Sequence, residues 1–183
     1  MQSVTDILNI LLKSIFVGFG FIIPILTLLR ISDIKTLQVK DLFILTAVQT
    51  LRISGIIYFI LAAVAVYPLL MHDNSMGGNV KVDFGGFAMY ILFSPIMTLV
   101  ISQLFWIKRL YMKKGSRITL SFMLLLLPSA VFLAIAKSQD FMPVLKATFS
   151  GPEILKALIS CVIFIFITFT IILMGGKLKD KKA

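Results

Sequence analysis

Ile163-Phe164-Ile165-Phe166-Ile167-Thr168-Phe169-Thr170 is the run on which the reading of the whole chain turns. In water, residues so rich in β-branched and aromatic side chains favour a strand. The run lacks polar alternation, however, and sits inside an apolar stretch at 154–174. A hydrocarbon core of about 30 Å takes about 20 helical residues to cross, so this stretch is long enough to span. Lipid offers no partner to backbone N–H and C=O groups, which forces such a segment into a helix.

Four other stretches read the same way, at 7–29, 53–71, 87–107 and 118–136. Of the 183 residues, 59% are hydrophobic and 14% charged. A soluble domain carries about a quarter charged residues, so the bilayer is the solvent that fits this composition. The expected fold is all-α: one polytopic integral membrane bundle of five transmembrane helices over 1–183, with no separate soluble domain. The first stretch is interrupted by Asn9 and Lys13. Four spans plus an interfacial N-terminal helix is therefore the alternative. No basic leader or small-residue cleavage site accompanies that stretch, so it is expected to remain as a span and not to act as a signal peptide.

Net charge is +10, and its arrangement sets an orientation. Arg30, Lys35, Lys40 and Arg52 fall between the first two stretches, and Lys108, Arg109, Lys113, Lys114 and Arg117 between the third and fourth. Lys177, Lys179, Lys181 and Lys182 follow the fifth. The opposite side holds Lys13, Lys81, Lys137, Lys146 and Lys156, and there five acidic residues balance them. Cytoplasmic loops concentrate Lys and Arg, so the N-terminus is expected outside and the C-terminus in the cytoplasm, with the cytoplasmic (inner) membrane as location. Tyr67, Tyr90, Trp106 and Tyr111 fall near span ends, as an aromatic belt requires.

Three connections carry their own expectations. The mostly apolar 42–51 reads as an amphipathic helix on the inner surface, with Arg52 among headgroups; a longer span with Arg52 turned into the bundle is the alternative. The outer loop at 72–86 has room for a short extended piece at 80–84 between glycine pairs. The segment 137–153 mixes apolar residues, charges and two prolines, and is expected along the outer interface.

Chemistry is read mainly by exclusion. No Asp or Glu falls within the expected spans, His72 is the only histidine and Cys161 the only cysteine. HExxH, P-loop and GxSxG patterns do not occur. The chain is therefore expected to be no enzyme, with no catalytic residues, no metal site and no cofactor. His72-Asp73-Asn74 reads as a solvated turn. The intramembrane polar candidates are Arg52, Gln49, Gln103 and Lys13, because polar groups within spans are costly. Arg52 is read first as a snorkelling interfacial residue. Lys108, Arg109, Lys113, Lys114 and Arg117 are candidates for contact with anionic lipid headgroups or an acidic partner. Nucleic acid is not expected, since these patches are short and no reading module accompanies them. Ser14/Gly18, Thr98/Ser102 and Ala130/Ala134 are small pairs four apart that suit helix packing seams. Pro24, Pro95 and Pro128 read as kinks within spans.

The functional expectation is a non-enzymatic membrane protein acting through helix contacts, as an accessory, assembly or immunity-type partner of a membrane complex. A membrane-protein partner or a homo-oligomer is expected. A small transporter or channel subunit, its polar path assembled in an oligomer, is the alternative.

Overall fold

The computed structural model describes residues 4–71, 84–127, 142, 146 and 150–175. Among these the chain is helical, with no strand. The helices are α1 (Val4–Leu28), α2 (Ile34–Met71), α3 (Phe84–Leu104), α4 (Lys108–Met112), α5 (Lys114–Leu126) and α6 (Gly151–Met174). The β-branched run at 163–170 is helical, within α6. Its Thr168 and Thr170 hydroxyls donate to the carbonyls of Phe164 and Phe166, at 2.8 and 2.9 Å. That bond hides a polar group against the helix's own backbone, which lets threonine sit in an apolar face.

Among the described residues three helices are long and apolar enough to cross a membrane: Val4–Leu28, Ile34–Tyr67 and Gly151–Met174. Leu92–Leu104 is apolar and shorter. The fourth expected span is described only as far as Leu127, and Ala130, Ala134 and Pro128 lie outside the described residues. So do His72 and the loop up to residue 83, and most of 137–149.

α1 is the central helix, packed on α2, α5 and α6, while α2 also carries α3. Small residues allow the close crossings. A Cβ on Gly18 would overlap the Phe164 side chain of α6, and one on Gly20 would overlap Leu125 of α5. A Cβ on Gly55 of α2 would overlap Ser102 of α3. Two of the small pairs singled out in the sequence, Ser14/Gly18 and Thr98/Ser102, thus lie buried on seams. The core is aromatic at its centre. Phe19, Phe105 and Phe164 are fully buried, with Phe19 edge-on to both of the others at 5.1 and 6.2 Å between centroids. Offset and edge-to-face pairs of this kind are the favoured aromatic geometry.

One expectation is overturned. The segment 42–51 is not an amphipathic surface helix but the interior of α2, which runs unbroken for 38 residues, roughly 57 Å at 1.5 Å per residue. Phe43, Ile44, Thr46, Ala47, Val48 and Leu51 are all buried. The reason is α1: the two helices form an antiparallel hairpin, with Lys40 bonded to the Leu29 carbonyl at one end and Phe16 against Tyr58 further along. Burial against α1 and α6 then covers the apolar face that would otherwise have needed a membrane surface.

Candidate functional site

α3 ends at Leu104, and the chain turns through Phe105, Trp106 and Ile107 before α4 begins. A helix end leaves its last carbonyls without intrahelical partners. Trp106 N–H donates to the Gln103 carbonyl at 2.9 Å and Ile107 N–H to that of Leu104 at 3.2 Å, which satisfies two of them. The Phe105 carbonyl is met from another helix, by Nη2 of Arg52 on α2. Burial of the Phe105 ring against Phe19 fixes where that carbonyl sits.

The Arg52 guanidinium also lies 4.9 Å from the centroid of Trp106 and 5.2 Å from that of Tyr111. Both distances are within cation–π range, and a positive group at the end of α3 complements the negative pole of the helix dipole. Gln103 Nε2 donates to the Arg52 carbonyl and to Ser102 Oγ, each at 3.4 Å. Arg117 Nε donates to the Tyr111 carbonyl at 3.1 Å. Burial pushes the Arg117 guanidinium below its ordinary value, and the charge of Asp41 opposes that shift. The result is a clamp: two arginines and a glutamine tie α2 and α5 to the α3–α4 junction.

Arg52 is only half-buried, yet its Nε is shielded and has no hydrogen-bond partner. Among the described residues it meets a carbonyl and two rings, not a carboxylate. Such a group can hold helices together or face an anion.

The four intramembrane candidates therefore separate. Arg52 and Gln103 come together, whereas Gln49 and Lys13 are exposed and join neither the clamp nor each other's contacts. Thr98 and Ser102 are buried, with their hydroxyls donating to Ser94 and Leu99 carbonyls of their own helix at 2.8 Å. Lys108, Arg109, Lys113 and Lys114 are exposed, and Arg117 is half-buried through its bond to Tyr111. Trp106 and Tyr111 were legible as interfacial aromatics but not as the partners of Arg52, which is more than fifty residues away. A backbone carbonyl as acceptor leaves no mark in a sequence at all. The signal that could have found the pair is the antiparallel packing of α2 on α3, which only the fold supplies.

No known protein family matches the chain, and neither a curated protein nor a solved structure is significantly similar to it.

Proposed function

We propose that the protein is a non-enzymatic integral membrane protein that works by helix contacts in the bilayer, as an accessory, assembly or immunity-type partner of a membrane complex. The observation that supports this reading is where the polar groups go. Arg52, Gln103, Thr98 and Ser102 are bonded to backbone or to one another, and Gln49 is exposed. A polar path would need these groups to converge on a shared cavity. The cleft of about 500 Å³ at the α1–α2 turn touches none of them.

In this reading the chain crosses the membrane five times, α3 and α5 marking the third and fourth crossings, with the N-terminus outside and the C-terminus in the cytoplasm. Lys114 lines the same cleft as Arg30 and Lys40, which fits the assignment of both basic loops to one face. The contact surface is the outward face of α6, where Leu158, Val162, Phe166 and Leu173 are exposed on the side opposite the buried stripe Phe164, Thr168 and Ile172. Residues at these spacings share one side of a helix.

The test is a C-terminal tag, solubilisation of native membranes in mild detergent, and mass spectrometry of what co-purifies. A reproducible stoichiometric membrane protein is the expected result. A clean homo-oligomer with no other protein would turn attention to flux assays and the transporter reading.

A further inference from the structure

The cleft at the α1–α2 turn has a chemistry of its own. Thr27, Leu29, Arg30, Leu37, Lys40 and Lys114 line it, so three cations from α1's end, α2 and α5 meet there and none of the lining residues is acidic. Thr27 is 6% exposed, and its Oγ1 has no hydrogen-bond partner. That hydroxyl is sealed from solvent, so the groups that reach the opening are the three cations. Lys40 Nζ donates to the Leu29 carbonyl at 2.6 Å, which holds one charge at the cleft wall. Arg30 and Lys114 are exposed and make no hydrogen bond or ion pair with any described residue. The nearby carboxylates Asp33 and Asp41 do not line the cleft, and Asp33 Oδ2 accepts from Thr36 N–H at 3.1 Å and Thr36 Oγ1 at 2.6 Å.

A tetrahedral oxyanion is what such a donor set suits. A guanidinium offers a fork and an ammonium a mobile point charge, and phosphate accepts both. We propose that this cleft binds a phosphate group, supplied either by the headgroup of an anionic membrane lipid or by the free ion. The leucines beside the cations suit the lipid source, since an acyl chain would run against them. The site is distinct from the Arg52 clamp and does not rest on the partner reading.

The experiment is native mass spectrometry of the purified full chain in detergent, titrated separately with phosphatidylglycerol, with inorganic phosphate and with uncharged diacylglycerol. Arg30→Ala/Lys114→Ala is compared with Lys35→Ala/Lys156→Ala, which removes the same charge at exposed positions outside the cleft. The expected result is one bound phosphatidylglycerol or phosphate, no diacylglycerol, and a loss of about tenfold in affinity in the cleft variant against less than about twofold in the control. Binding of phosphatidylglycerol that inorganic phosphate does not displace assigns the lipid source, and binding of inorganic phosphate alone assigns the free ion. Equal losses in the two double variants, or no adduct with either probe, overturn the proposal. Should the cleft variant fail to fold, Arg30→Ala alone is titrated: a severalfold loss supports the site, and unchanged affinity overturns it.

Discussion

α1 buries ten of its residues and α6 buries three, although α6 is the more apolar of the two. Apolarity reports the solvent a helix can tolerate; it does not report its neighbours. What distinguishes the two is the placement of small residues. α1 carries Ser14, Gly18 and Gly20 along its middle, and at Gly18 and Gly20 other helices come close enough to exclude a side chain. α6 presents bulky side chains almost everywhere and docks through the single stripe of Phe164, Thr168 and Ile172. In lipid, where burying leucine against leucine gains little over burying it against an acyl chain, close backbone approach and packing are what hold helices together.

That contrast can be broken from either side. The largest effect is expected from Gly18→Leu, whose side chain would land on Phe164 and force α1 from α6. Overpacking with no flexible neighbour to yield places the loss at about 3 kcal/mol or more, measurable by unfolding in mixed micelles. Phe164→Ala removes the other half of the same contact and should lose about 2–3 kcal/mol, less than in a soluble core because lipid supplies no hydrophobic drive. Phe166→Ala, two residues on and facing outward, should change stability by less than about 0.5 kcal/mol. Equal effects at 164 and 166 would mean that α6 has no preferred inner face.

The Arg52 clamp sets a smaller effect. Arg52→Ala leaves the Phe105 carbonyl without its donor, at a cost of about 1–3 kcal/mol, and Arg52→Lys should recover part of that by keeping the charge without the fork. Trp106 is the only tryptophan in the chain, so its fluorescence reports on the clamp directly. Its emission should shift in Arg52→Ala and stay unchanged in Gln49→Ala. An identical response in both would remove the clamp from the account.

The smallest effect lies at the turn between α1 and α2. Hydrogen bonds from Thr36 hold the Asp33 carboxyl below its ordinary value of 3.8, as befits the acceptor at a helix start. Its folded value is depressed, so its contribution is present above pH 3.8 and is lost as the pH falls through the folded value. Melting curves of the wild type and Asp33→Ala should therefore differ slightly near neutral pH and converge in stronger acid.

Helix existence was legible because lipid leaves a long apolar run no alternative, and α6 shows it at 163–170 despite a composition that favours a strand in water. The course of α2 was not. Residues 42–51 look like a surface helix in isolation, because Arg52 ends them and charged residues precede them. Their burial depends on α1 folding back along them, and no local pattern announces that pairing. The same limit applies to the clamp and the cleft. Arg52 and Gln103, or Arg30, Lys40 and Lys114, were each visible as polar or basic residues. That they meet follows from which helices are neighbours.

The most direct test of the partner reading compares two positions on α6 in native membranes. A photo-crosslinking residue is placed at Phe166, on the outward face, and in a second variant at Thr168, on the buried stripe. The account predicts a discrete adduct with one other membrane protein from position 166, and only intramolecular products from position 168. Adducts with lipid alone from position 166 would contradict it.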